Sequence, residues 1–140
     1  MKRHRLIPIL VFLPLLLLAT IGCQKEEKQL IGTWYCTQNN GSYTITNLLS
    51  LNNNDTFTWI TSYSTPNTSK DETITGTYLF DSNNSKIYFT SVTDNSTFSY
   101  IISIIDEKLI LSEYQNESED SVLIFKKNQI QNATHAISKR

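Results

Sequence analysis

The sequence predicts an all-β domain: eight short antiparallel strands closed into an up-and-down barrel, set behind a cleaved export signal. Two observations predict it. Runs of Thr, Ile, Tyr, Phe and Val, each six to ten residues long, alternate with clusters of Asn, Asp, Gly and Ser, the rhythm of strands joined by tight turns. Helix-forming residues are scarce, and no stretch keeps a helical period for more than two turns.

The leader comes first. "MKRHR" is a basic n-region, and "LIPILVFLPLLLLATI" is an apolar run of 16 residues containing Pro8 and Pro14. A membrane-spanning helix needs about 20 residues, and each proline removes a helix hydrogen bond, so residues 1–22 read as a signal peptide removed on export. They carry Lys2, Arg3 and Arg5 and no acid, so the mature chain keeps nine basic residues against 13 acidic. That balance offers no basic field for nucleic acid.

"ATIGC" resembles a bacterial lipobox, in which the cysteine, here Cys23, is acylated and becomes the first mature residue. Thr20 and Ile21 stand where Leu and Ala are commonest, while Gly22 and Cys23 fit. Acyl chains contribute about 0.8 kcal/mol per buried methylene and hold a soluble domain at a bilayer without a spanning helix. "CQKEEK" follows and resembles the surface-export signal of Bacteroidota lipoproteins. That resemblance implies an outer-membrane lipoprotein, anchored through palmitate-type chains on Cys23 and facing the cell exterior. Residues 23–29 form the anchor and a charged tether. A solvated tether on a periplasm-facing lipoprotein is the plainer reading of the same charges.

From Leu30 the chain reads strand by strand. "LIGTWYCT" is the first, and the Asn39-Asn40-Gly41 turn leads to "SYTITNLLSL". "NNND" turns into the third strand, "TFTWITSY". "STPNTSKDE" reads as a longer polar loop, and "TITGTYLFD" as the fourth strand. "SNNS" leads to "KIYFTSVT", "DNS" to "TFSYIISII", "DEK" to "LILSEY", and "QNESED" to the eighth strand, "SVLIFKK". Residues 30–127 are thus the barrel, and 128–140 a polar C-terminal tail.

Eight sequential strands in an open sheet would leave two exposed edges, and closure removes both. An eight-stranded barrel has an interior that side chains just fill or that holds one small ligand. Period-two alternation assigns inward faces. Gly32, Trp34 and Cys36 share one face, as do Phe57 and Trp59, with Tyr63 beyond them. Ile74, Gly76, Tyr78 and Phe80 share another, and Phe98, Tyr100, Ile102 and Ile104 a fourth. Strands five, seven and eight are apolar on both faces and give no assignment. The expected barrel-lining set is Trp34, Phe57, Trp59, Tyr78, Phe80, Phe98 and Tyr100.

"LIGTWY", with Gly32 and Trp34, resembles the Gly-x-Trp of the first strand of lipocalins and their calycin relatives, where the tryptophan packs across the closed end of the barrel. Closer still are the small lipocalin-like domains of Bacteroidota lipoproteins, with "L-x-G-x-W", then a "D-x-T-F-T"-like strand, then "G-T-Y". Here these are Leu30 to Trp34, Asp55 to Thr58, and Gly76 to Tyr78. The resemblance spans residues 28–127 and implies a lipocalin-like barrel that binds a small apolar or amphipathic molecule. The chain departs from true lipocalins in lacking an obvious C-terminal helix and clear second and third signature motifs.

The residue inventory limits the chemistry. His4 lies in the leader and His135 in the tail, which argues against a histidine-based triad or an imidazole zinc site. Cys36 is the one thiol left after Cys23 is acylated, so it reads as a small buried hydrophobe. Asp55, Asp81, Asp94, Asp106 and Glu107 sit in turns, which explains them without function. "ESED", Glu117 to Asp120, is the densest acidic group and reads as a solvated hairpin tip. No Gly-rich phosphate loop occurs. The sequence therefore predicts no enzyme, no cofactor and no metal. Two readings stay open: a barrel with a small apolar ligand in its interior, or a packed barrel that serves as a protein-interaction or envelope-accessory module.

Overall fold

A computed structural model describes residues 26–113 and 121–128. The leader, Cys23, the 117–120 acidic group and all of the tail after Asn128 lie outside the described residues. Eight antiparallel strands form one closed barrel in simple sequence order. They are β1 (Gly32–Asn39), β2 (Thr44–Leu51), β3 (Thr56–Ser64), β4 (Ser69–Asp81), β5 (Lys86–Ser91), β6 (Thr97–Ile105), β7 (Lys108–Ser112) and β8 (Val122–Lys127).

Two elements differ from the sequence reading. Residues 69–72, read as loop, belong to β4: Lys70 pairs with Tyr63, Asp71 with Ser62 and Glu72 with Thr61. The connection shrinks to Thr65–Thr68, with Pro66 inside a turn held by the Thr65 N–H to the Thr68 carbonyl at 2.8 Å. The segment looked like loop because this end of the β3–β4 ribbon stands clear of the core. All of residues 69–75 are exposed, so no apolar alternation marks the strand. The tether also holds structure: residues 26–30 make a single helical turn that ends on Leu30, which is buried.

Local chemistry sets the turns. The Gly41 N–H bonds the Asn39 side-chain oxygen at 3.1 Å. In the β2–β3 turn Asp55 takes φ +61°, and its N–H reaches the Asn52 carbonyl at 3.3 Å. The β6–β7 turn is two residues, Asp106 and Glu107, both at positive φ, the backbone that matches the twist of a hairpin.

One end of the barrel collects the start of β1, the end of β8 and the β2–β3, β4–β5 and β6–β7 turns, together with residues 26–30. Closure runs through Trp34 opposite Lys127 and Tyr35 opposite Lys126. The Asn128 N–H adds a bond to the Thr33 carbonyl at 2.8 Å. Gly32 serves this seam. Its φ is +137°, and a Cβ there would lie 3.1 Å from Cε of Lys127; only glycine takes that backbone readily and leaves the lysine stem its place. Gly76 serves the β4–β5 contact, because a Cβ there would sit 1.8 Å from the Thr90 carbonyl oxygen.

The core is the inward face of every strand. Trp34, Leu49, Leu51, Phe57, Ile87, Phe89, Leu109, Leu111 and Phe125 are all but sealed from solvent. The faces that alternation left undecided are now assigned. Ile87 and Phe89 point inward from β5, Leu109 and Leu111 from β7, and Leu123 and Phe125 from β8. Their neighbours Ile110, Val122 and Ile124 face outward, the latter two exposed.

Candidate functional site

The predicted lining residues all point into the barrel, and the structure brings them together. Trp34 forms the floor of the closed end: it is buried, and its indole N–H donates to the Leu30 carbonyl at 2.8 Å. The short helical turn is thereby stitched across the barrel's base. Tyr78 is buried and donates its hydroxyl proton to the Asn52 carbonyl at 2.9 Å. Burial pushes the Tyr78 phenol above its ordinary value, with the Asp55 charge adding to the effect.

Above that floor stand Phe57, Trp59, Phe98 and Tyr100. Phe89 and Phe125 join them, two rings that the sequence did not assign. The Phe57 and Phe89 centroids lie 4.8 Å apart, edge to face. Phe89 stacks on Phe98 at 5.3 Å. Trp59 meets Phe89 and Tyr100 at 5.7 Å and Phe125 at 5.9 Å. These are the separations at which aromatic pairs attract, each contributing about 0.5–1.5 kcal/mol beyond burial. These rings occupy the middle of the barrel. Phe80 packs on the lower edge of this core, half-buried.

A polar group sits within the aromatic core, and sequence reasoning passed over it. Asn47 is buried, and its side-chain oxygen accepts the Trp59 indole N–H at 3.0 Å and the Thr61 hydroxyl at 2.9 Å. The only signal was its register: Asn47 occupies an inward position of β2, between Ile45 and Leu49. Cys36 lies directly opposite it on β1. The thiol is buried, and burial pushes its pKa up, which keeps it protonated and poorly nucleophilic.

Toward the other end the inward face opens. Tyr63 is 39% exposed and Ile74 40%, although both point to the barrel side. This mouth is formed by β2, β3 and the projecting part of β4, with Phe98 and Tyr100 half-buried beneath it.

Two cavities lie near the closed end. One, of about 250 Å³, runs between residues 26–30 and the inner face, against Leu30, Phe80, Ile102 and Ile104. The other, of about 640 Å³, is an open groove outside the barrel, lined by Tyr35, Asp106, Glu107, Lys108, Lys126, Lys127 and Asn128.

Two of the turn carboxylates, Asp81 and Asp94, hold their own turns. Asp81 accepts the side-chain amide of Asn84 at 2.7 Å and the N–H groups of Asn83 and Asn84, which lowers its pKa. Asp94 accepts the Ser96 hydroxyl at 2.8 Å and its N–H, with the same effect. Among the described residues no group of His, Cys, Asp and Glu is arranged to hold a metal ion.

No protein family matches the chain, and no curated protein or solved structure does.

Proposed function

We propose that the mature chain is a lipid-anchored outer-membrane protein, held through Cys23, whose barrel is a solid, non-enzymatic platform for contacts with other proteins of the cell envelope. One observation carries the choice of a platform over a cup: Trp59 is wedged among Phe89, Phe98, Tyr100 and Phe125 in the middle of the barrel. A ligand in that place would have to displace four rings. The anchor and the outward orientation rest on "ATIGC" and "CQKEEK".

A second reading, a carrier of a small apolar molecule, is favoured by the 250 Å³ cavity against Leu30, Phe80, Ile102 and Ile104. Its volume falls just below the 300–1,000 Å³ range of ordinary ligand sites, so it suits a short chain or a single ring.

Native mass spectrometry of the protein, purified gently from a lipoprotein-processing host, separates the two. The platform reading expects the mass of the acylated polypeptide alone. A reproducible extra mass that leaves on denaturation supports the carrier. Metabolic labelling with radioactive palmitate tests the anchor: the label is expected on the wild type and absent from Cys23→Ala. Protease added to intact cells tests the orientation, since a surface protein is digested and a periplasm-facing one is spared.

A further inference from the structure

The barrel is closed, yet the first half of β4 has a free edge among the described residues. β4 pairs with β3 along Ser69–Thr77. It pairs with β5 only along Gly76–Asp81, and the Val92 N–H takes the Thr75 carbonyl at 3.0 Å. Ser69–Ile74 therefore have a strand on one side and, among the described residues, none on the other.

The direction of the backbone groups follows from two bonds. Thr75 offers its carbonyl to the β5 side, whereas the Tyr78 N–H reaches Asp55 on the β3 side. In an antiparallel ladder a residue's N–H and C=O point the same way and successive residues alternate. Asp71 and Thr73 therefore hold both groups outward at the free edge. Lys70, Glu72 and Ile74 turn theirs toward β3.

We propose that this edge receives an extended segment of a partner protein as an added strand, antiparallel to β4 and in line with β5. Only another extended backbone matches a row of outward N–H and C=O groups at this spacing. The side chains define its chemistry. Lys70, Glu72 and Ile74 share the face turned to the mouth, and Ile74 is 40% exposed. Lys70 and Glu72 pair with each other at 2.6 Å, both well exposed. Charges turned to this face discourage indiscriminate edge pairing. A strand that suits it carries an apolar residue opposite Ile74, a cation opposite Glu72 and an anion opposite Lys70. Cross-strand pairs of opposite charge then replace one exposed intrachain pair.

This inference deepens the platform reading and rests on it, but not on the lipid anchor. Loss of acylation would leave the edge as it is, and a small molecule found in the barrel would remove the platform role without touching the amides measured below.

The probe is the capped peptide Ile-Thr-Lys-Thr-Glu-Thr, titrated into the isotope-labelled mature chain and followed by amide shifts and hydrogen exchange. The expected result is alternating: Asp71 and Thr73 shift and exchange more slowly, while Glu72, already bonded to β3, keeps its exchange rate. The peptide N-methylated at its first two threonines should bind at least about tenfold more weakly, because two backbone hydrogen bonds are lost. The charge-swapped peptide Ile-Thr-Glu-Thr-Lys-Thr should also bind more weakly. Thr73→Pro should abolish the response and keep the wild-type melting temperature, because proline is tolerated where an edge N–H faces solvent. No shift at millimolar peptide, or equal binding of the N-methylated form, overturns the proposal. Equal binding of the swapped peptide overturns the stated chemistry of the partner. If Thr73→Pro fails to fold, the N-methylated peptide still decides, since it leaves the protein unchanged.

Discussion

The Lys127 ammonium lies 5.1 Å from the centroid of the Trp34 ring, and the two residues face each other across the seam that closes the barrel. The same ammonium approaches the Gln29 carbonyl at 3.4 Å, and Gly32 leaves room for the lysine stem. First strand, last strand and the preceding helical turn thus converge on one cation and one indole. Lys127→Met keeps the stem and removes the charge. It is expected to cost about 1 kcal/mol, the worth of a cation–π contact at a partly exposed site. Trp34→Ala empties the floor and strands the Leu30 carbonyl, an expected loss of about 3–5 kcal/mol. Chemical denaturation of both variants checks the ranking. Equal losses would mean that the lysine holds the seam in some further way.

Asn47 is a buried polar side chain beside the aromatic cluster, and two donors converge on its side-chain oxygen. Replacing it with alanine leaves the Trp59 indole N–H and the Thr61 hydroxyl without their acceptor. An unsatisfied buried donor costs about 1–3 kcal/mol, and the expected destabilisation falls in that range. Trp59 fluorescence should change with it, whereas Trp34, bonded to Leu30, should report no change. Single-tryptophan backgrounds, Trp34→Phe and Trp59→Phe, separate the two signals. Asn47→Asp tests the bond itself: a carboxylate still accepts both donors but brings a charge into the core, and stability should recover as the pH is lowered and that charge is removed.

Gly76 marks where β4 changes from a projecting ribbon to a wall of the barrel. Alanine there would place its methyl 1.8 Å from the Thr90 carbonyl oxygen and 3.0 Å from the Phe57 ring, so β5 must move away or the pairing must open. Overpacking of this kind typically costs about 1–3 kcal/mol, and the backbone obstacle places Gly76→Ala at the upper end. Gly41→Ala is the contrast, since nothing lies within 4 Å of its Cβ position; its cost comes only from the φ of +67° and should be smaller. Thermal melts of the pair test this. A milder effect at Gly76 than at Gly41 would show that the β4–β5 seam yields easily.

The strands were legible wherever one face had to be apolar and the other not. β3 follows the apolar–polar alternation in its first half, with Phe57 and Trp59 inward and Thr56 and Thr58 outward, and departs from it at Ile60, which faces outward, and Thr61, which turns in to Asn47. The inward faces of β5, β7 and β8 were not legible, because Tyr88, Ile110 and Ile124 make their outer faces apolar too, and period two then carries no information. This ambiguity hid Phe89 and Phe125, the rings that fill the barrel, and so left packed and open interiors undecided. The projecting part of β4 failed for the opposite reason: Ser69 to Glu72 is polar on both faces, because the ribbon there has solvent on both sides. The free edge that follows from it is a property of register, which no single strand's composition contains.

Tyr78 and Tyr100 set the expected response to alkali. Both phenols titrate above their ordinary value of 10.0, chiefly because burial penalises the phenolate; a nearby acid, Asp55 for Tyr78 and Glu113 for Tyr100, adds to it. The folded state therefore holds these protons more tightly than the unfolded chain does. A raised pKa contributes stability that is fully present below the unfolded value and lost as the pH rises through the folded one. Cys36, raised from 9.0 by burial, acts in the same direction. On the acid side Asp81 and Asp94 are lowered from 3.8 by their turn hydrogen bonds. Their contribution is present above that value and disappears as the pH falls through the folded one. Stability should be flat across neutral pH, decline above about pH 9–10 as thiol and phenols ionise on unfolding, and decline again below about pH 4. Urea melts between pH 3 and 11 measure the profile. Tyr100→Phe should flatten its alkaline limb and leave the acid limb unchanged. An alkaline limb as steep in Tyr100→Phe as in the wild type would remove this phenol from the account and leave Tyr78 and Cys36 to carry it.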